Sequence, residues 1–157
     1  MLHIRNIQEQ DYASIISVIN DWWGGRQMAD MLPKLFFVHF QPTSFIAEEN
    51  GERVAFLVGF LSQTFPGEAY IHFVGVHPDK RKDGVGRLLY HHFFDAVKQR
   101  GCHTVRCITS PVNKTSIAFH TKLGFAIEQG DKLVDGVSVA SNYDGRGNDR
   151  VVFMKAI

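Results

Sequence analysis

The stretch Arg81-Lys82-Asp83-Gly84-Val85-Gly86-Arg87 joins an apolar run, Tyr70 to Val76, to a strongly amphipathic one, Val85 to Val97. Apolar positions at Val85, Leu88, Leu89, His92, Phe93, Ala96 and Val97 repeat at helical spacing, so the whole reads as strand, tight turn and helix. Glycines at the start of a helix let backbone N–H groups approach a ligand with no Cβ in the way. Those N–H groups lack intrahelical acceptors and carry the positive end of the helix dipole. The turn is shaped for a phosphate, and Arg81, Lys82 and Arg87 can add charge-assisted hydrogen bonds to phosphate oxygens. A Gly-Val-Gly turn by itself also serves as a plain tight connection. The Gly-Lys-Ser/Thr ending of a nucleoside triphosphate loop is absent, as is the third glycine of a dinucleotide fingerprint.

On the N-terminal side, His3 to Ile7 alternates like a first strand, and Tyr12, Ile15, Ile16 and Ile19 follow at helical spacing behind Asp11 as cap. Trp22-Trp23-Gly24-Gly25 interrupts that helix, and Met28 to Phe40, with Pro33 inside it, resumes as a helical or irregular apolar stretch. Ser44–Glu48 and Arg53–Phe60 flank Asn50-Gly51, the dipeptide best suited to a tight hairpin turn. The next strand is Ala69–Val76, fourth in order. On the C-terminal side Gly101 ends the helix, Thr104–Ile108 forms a fifth strand, and Asn113 caps a short helix through Lys122. Gly124-Phe125 returns into a sixth strand, and Arg150–Lys155 forms the last. Gly130 to Asp149 is long for a connection and rich in Gly, Asp and Asn, which predicts a functional loop or a mobile lid.

The 157 residues, without a long Pro/Gly/Ser-rich linker, suit one domain spanning 1–157. A net charge of +1 with interspersed signs gives no basic stripe, so nucleic-acid binding is not expected and the partner is expected to be small. No apolar run reaches membrane-span length and the first residues show no leader pattern, so no membrane association and a cytoplasmic location are expected. Cys102 and Cys107 read as members of one strand, roughly 16 Å apart and on opposite faces, which excludes a disulfide between them. The eight histidines offer no ligand spacing for a metal, and the adjacent His91 and His92 point apart on their helix.

An antiparallel hairpin followed by strand, glycine turn, helix, strand and capped helix is an α+β order. The residues within it resemble the GNAT superfamily of N-acetyltransferases. The acyl-CoA motif Arg/Gln-x-x-Gly-x-Gly/Ala is matched by Arg81, Gly84 and Gly86, behind Val76-His77-Pro78. A second motif, Asn followed by a helix and a Gly-Phe pair, is matched by Asn113, Ser116, Phe119, Lys122, Leu123, Gly124 and Phe125. The resemblance implies a mixed, mostly antiparallel sheet of six to seven strands with helices on both faces, splayed between strands four and five after a bulge. It implies acetyl-CoA as co-substrate and no metal. Val74 and Val76 would meet the pantetheine arm, with the Val74 N–H polarising the thioester carbonyl. The pyrophosphate would sit on the amides from Lys82 through Asp83, Gly84, Val85 and Gly86 to Arg87. Asn113, Ser116 and Phe119 would line the far side of the cofactor. A homodimer is a habit of the family.

Acyl transfer to an amine needs a neutral nucleophile, a held thioester and a proton for the leaving thiolate. For the base, Glu68, Tyr70 and His72 share one face of the fourth strand by its two-residue period. Tyr70 aligns with the family's usual carboxylate, imidazole titrates nearest neutrality, and Glu68 can act through water. The same face also suits half-buried sheet packing. Where many members carry a tyrosine that protonates the thiolate, this chain has His120, with Tyr143 of the long loop as an alternative donor. Trp22 and Trp23 fall where the family builds its acceptor pocket, and they also suit a plain core role. The leading expectation is an N-acetyltransferase for a small-molecule or peptide amine. The rival is a non-catalytic acyl-CoA binding module.

Overall fold

The computed structural model describes residues 1–157. Its sheet is organised by the hairpin between β2 (Phe45–Glu49) and β3 (Glu52–Leu61). Asn50 and Gly51 between them take φ of 53° and 80°, the left-handed pair that a two-residue hairpin turn requires. β1 (Leu2–Asn6) lies antiparallel to the outer side of β2, and β4 (Glu68–Val76) lies antiparallel to β3. Beyond β4 come β5 (Thr104–Thr109), then β9 (Val151–Ala156) and the two-residue β6 (Ala126–Ile127). The order is β1-β2-β3-β4-β5-β9-β6, and only the β4–β5 pair is parallel.

That parallel pair is the feature that makes a site. It covers only Glu68 with Thr104, Ala69 with Val105 and Tyr70 with Arg106. Past Tyr70, β4 continues against β3 as far as Val76, while β5 continues against β9 as far as Thr109. The two strands therefore part and each leaves one edge free. A bulge accompanies the parting: Val58 pairs with Phe73 but Gly59 pairs with Ile71, so His72 is the extra residue. It shifts the alternation of β4. Ala69 and Ile71 before it, and Val74 and Val76 after it, belong to one core, while Phe73 packs into the other.

The first core lies under α4 (Val85–Lys98) and α5 (Lys114–Lys122), around Leu89, Phe93, Val105 and Phe153. The second lies under α1 (Asp11–Ile16), α2 (Ile19–Trp22) and α3 (Leu35–His39), around Ile15, Ile19, Phe37 and Phe56. The sheet thus carries helices on both faces, as expected.

Several local expectations need correction. On α4 the buried stripe is Val85, Leu89, Tyr90, Phe93, Phe94 and Val97, while Leu88 and His92 are exposed. Asp11 does not cap α1. Gln10 holds that position, and Asp11 is fully buried as the acceptor for Arg5, Arg53 and the Gln8 N–H. Met28 to Phe40 resolves into a tight turn at Ala29–Met31 and the short α3 behind Pro33. Cys102 precedes β5 instead of lying in it, so Cys102 and Cys107 share one core, both as free thiols. The stretch from Gly130 to Asp149, expected as a loop or mobile lid, contains a second sheet, β7 (Lys132–Val134) with β8 (Val137–Val139). Side-chain acceptors pin the backbone beyond β8: Asp131 takes the Ser141 N–H at 2.7 Å and Asp149 the Asn142 N–H at 2.9 Å.

Candidate active site

Where β4 and β5 separate, three segments converge. The first is the free edge of β4. His77 donates its N–H to Val54 O at 2.8 Å, toward β3. By the alternation of an extended strand, the backbone groups of Val76 and Val74 then point to the open side. The second is the glycine turn. A tight turn over Pro78–Asp83 ends at Gly84, whose φ of 75° is one that a side chain disfavours. Leu88 N–H bonds Gly84 O at 3.1 Å, and the amides ahead of it in the first turn of α4 have no intrahelical acceptor. The third is α5, started by Asn113, whose Oδ1 accepts the Ser116 N–H at 3.1 Å.

Together they enclose a cleft of about 620 Å³. Of the residues expected to hold a coenzyme, Val74, Val76, Arg81, Gly84, Gly86 and Arg87 line it on one side, and Asn113, Ser116 and Phe119 on the other. Lys82 and Asp83 are exposed outside the lining, and the Val85 side chain is in the core. Trp22 and Trp23 form a further wall with Gly24. A Cβ on Gly86 would meet nothing nearer than Val76 Cγ2 at 3.5 Å and Phe119 Cζ at 3.9 Å. Packing does not demand glycine there, so the missing side chain keeps the cleft open. Apolar walls, a strand edge with free amides and an anion-attracting helix start fit a long ligand of alternating amide and alkyl character that ends in phosphates.

Trp23 reaches the sheet because Gly75 has no side chain: a Cβ there would stand 2.9 Å from Trp23 Cη2 and 2.4 Å from Phe56 Cε1. Gly75→Ala is expected to overpack this contact and lower stability by about 1–3 kcal/mol. A shifted thermal midpoint with altered tryptophan emission checks it, and an unchanged melt would contradict the packing.

His120 lines the cleft and is buried, stacked on Phe153 at 4.5 Å. Its Nδ1 lies 2.7 Å from Ser116 O, an acceptor only, so Nδ1 carries the proton. Burial holds the imidazole below its usual pKa and outweighs the Ser116 bond, so the ring is neutral and Nε2 accepts from the Tyr90 hydroxyl at 2.8 Å. Burial likewise pushes the Tyr90 hydroxyl well up, with Cys107 adding to it. Tyr90, Thr115 and Gly24 are lining residues that sequence reasoning missed. A signal for Tyr90 existed, since it lies one helical turn beyond Gly86.

Glu68, Tyr70, His72 and Tyr143 lie outside this lining. Glu68 bonds Arg106 Nε at 3.1 Å, and Arg106 also reaches Glu128. Tyr70 stacks on Phe60 at 5.3 Å. Burial pushes its hydroxyl upward, with Tyr143 nearby adding to the shift, so Tyr70 keeps its proton at neutral pH. Tyr143 is 51% exposed. His72, at the bulge, lies flat against Phe36 at 4.3 Å with Nε2 2.7 Å from Met31 O. That carbonyl fixes the proton on Nε2 and leaves Nδ1 as the ring's free acceptor. No group of three or more His, Cys, Asp or Glu side chains is placed to hold a metal, and no helix is long and apolar enough to cross a membrane.

Known proteins are similar to this chain in sequence and in fold. The chain is 32% identical over 89 residues to the ribosomal protein bS18 alanine N-acetyltransferase of Escherichia coli, covering 57% of this chain and 55% of that one. It is 33% identical over 79 residues to the L-2,4-diaminobutyric acid acetyltransferase of Nocardia farcinica, covering 50% of this chain and 41% of that one. The chain spans about half the length of these curated relatives. The diaminobutyrate acetyltransferase of Paenibacillus lautus, solved with its substrate and coenzyme A, shares the fold at a TM-score of 0.71 and 18% identity, covering 99% of this chain and 95% of that one. Residues 4–125, which contain the hairpin, the parting strands, the glycine turn and the capped α5, match the family's sequence pattern, and the chain belongs to the acetyltransferase (GNAT) family.

Proposed function

We propose that residues 1–157 act as one domain that transfers an acetyl group from acetyl-CoA to the primary amine of a small molecule or peptide, by direct attack within a ternary complex. The observation that carries this reading is the cleft: it runs from an anion-binding helix start along an unpaired strand edge. Acetyl-CoA, when bound, supplies an acetyl group activated as a thioester. The chain supplies the rest. The amides of the glycine turn, with Arg87 and Lys82, hold the phosphates, and the free backbone of Val74 with the Val76 N–H orients the amide-bearing arm. Holding both reactants in one site removes about 7 to 11 kcal/mol of a bimolecular barrier at best. His72 accepts the amine's proton at Nδ1. Tyr70 stays protonated and donates, while Glu68, bound to Arg106, acts only through water. Trp22 and Trp23 form the acceptor wall, and Tyr143 of the long loop is the alternative proton donor to the leaving thiolate. The setting is the cytoplasm, and the protein pairs as a homodimer.

Replacing His72 with glutamine, which keeps a donor for Met31 O but no base, is expected to lower kcat by ~10²-fold with coenzyme affinity unchanged. A wild-type kcat in that variant, measured by thiol release, would remove His72 from the proton path.

One observation favours a second reading, a non-catalytic acyl-CoA binding module. His120 stands where the family has its acid, and its one proton is committed to Ser116 O. Calorimetric titration with acetyl-CoA, then with a panel of amines and detection of free thiol, separates the two. Binding with amine-dependent thiol release supports the transferase. Binding without release for any amine supports the module, and no binding refutes both.

A further inference from the structure

The cations around the glycine turn are not equivalent, although the motif treats them alike. Lys82 and Arg87 are exposed and have no hydrogen-bond or ion-pair partner within the chain. Arg81 is committed. Its Nε donates to Val76 O at 3.3 Å, and its Nη2 donates to Trp22 O. That second acceptor is informative. Trp22 is the last residue of α2, and the neighbouring N–H groups of Gly24 and Gly25 go to Asp21 and Asn20 instead. The Trp22 carbonyl thus has no backbone donor, and an arginine over a helix C-terminus satisfies it with a charge-assisted bond.

The consequence reaches the cleft. Trp22 stacks on Phe56 and meets His77 edge-on, and Trp23 lies over Gly75 against Phe73. Gly24 and Gly25 come next with φ of 65° and 89°, and the chain beyond them is tied back to Asn20 of α2, not to the sheet. To these apolar contacts Arg81 adds a polar tie between the wall and the end of β4, across the cleft mouth.

We propose that Arg81 is a positioning residue for the Trp22–Trp23 wall and not a phosphate ligand, the phosphate role falling to the turn amides with Arg87 and Lys82. Arg81 caps α2 and sets the distance between the tryptophan wall and the open edge of β4, which fixes the width of the cleft where an acceptor enters. The phosphate half of the assignment rests on the coenzyme reading above. The tether half does not.

Trp22 and Trp23 are the chain's two tryptophans, so intrinsic emission reports on this wall alone. The test compares wild type, Arg81→Gln, Arg81→Lys and Arg87→Gln by acrylamide quenching of tryptophan emission in the free protein and by calorimetric titration with coenzyme A at two salt concentrations. Arg81→Gln is expected to raise quenching by about 2-fold and to change the coenzyme Kd by less than ~3-fold, with Arg81→Lys between it and wild type. Arg87→Gln is expected to leave quenching unchanged, weaken binding by ~10-fold and flatten the salt dependence. Unchanged quenching in Arg81→Gln overturns the proposal, whatever the affinity does. A ~10-fold loss of affinity in that variant, equal to the loss in Arg87→Gln, returns Arg81 to the phosphate and also overturns it. If wild type fails to bind coenzyme A while Arg81→Gln still raises quenching, the tether stands and the coenzyme reading falls.

Discussion

Replacing Asp11 with asparagine is expected to lower the unfolding free energy at neutral pH by about 3 kcal/mol, read as a lower urea midpoint with an unchanged slope. The Asp11 side chain has no solvent exposure, and its oxygens accept from Arg5 Nη1 and Nη2 at 2.8 Å, Arg53 Nε at 2.6 Å and the Gln8 N–H at 2.8 Å. Arg5 also bonds Glu48, so one carboxylate ties α1 to β1, β2 and β3. An amide of the same shape keeps the volume but leaves Arg53 without its counter-charge and Arg5 with Glu48 alone. Burial alone would raise the carboxyl's pKa, yet the hydrogen bonds from Arg5, Arg53 and Gln8 outweigh it and leave the group below its ordinary 3.8. A folded pKa below the unfolded one means the stabilisation is fully present above the ordinary value and is lost as pH falls through the lower, folded one. The gap between wild type and variant is therefore constant from neutrality to about pH 5 and closes in stronger acid. A gap that stays constant throughout acid would assign the loss to packing instead of charge.

How much of this was legible in the sequence depends on the range of the forces involved. The β4–turn–α4 unit was readable because strand, glycines and helix each declare themselves within a few residues, and the hairpin at Asn50-Gly51 was readable for the same reason. Asn113 was readable because a cap acts three residues away, on Ser116. The role of Asp11 was not, since the same residue type serves as cap or as buried acceptor, and only the long-range approach of Arg53 decides. A bulge before the splay was implied by family likeness, but its place at His72 was not, because a bulge is a mismatch between two strands and neither strand contains it alone. On α4, periodicity gave the helix but set its buried stripe one position off, exposing Leu88 and hiding Tyr90, because the stripe is fixed by where α5 and β9 deliver His120 and Phe153. Arg81 belonged to the motif in sequence, and its two backbone acceptors lie on segments that only the fold brings together.

Gly86→Val separates folding from binding most sharply. A valine Cβ at this position meets only ordinary contacts, Val76 Cγ2 at 3.5 Å and Phe119 Cζ at 3.9 Å, and no positive φ stands in its way. The fold is expected to tolerate it, with a change in stability near 1 kcal/mol or less. Its two methyl groups would extend into the gap between Val76 and Phe119, the opposed apolar walls of the cleft. A ligand that threads this gap loses the space those methyl groups fill. The expected loss of coenzyme A affinity is on the order of 10³-fold, about 4 kcal/mol, with the thermal midpoint near wild type. Gly84→Val behaves differently: its φ of 75° makes any side chain there strained, so stability falls by about 1–3 kcal/mol together with binding. Calorimetry and thermal melts on the two variants therefore distinguish a blocked cleft from a damaged turn. Wild-type affinity in a folded Gly86→Val protein would place the coenzyme away from the gap between Val76 and Phe119.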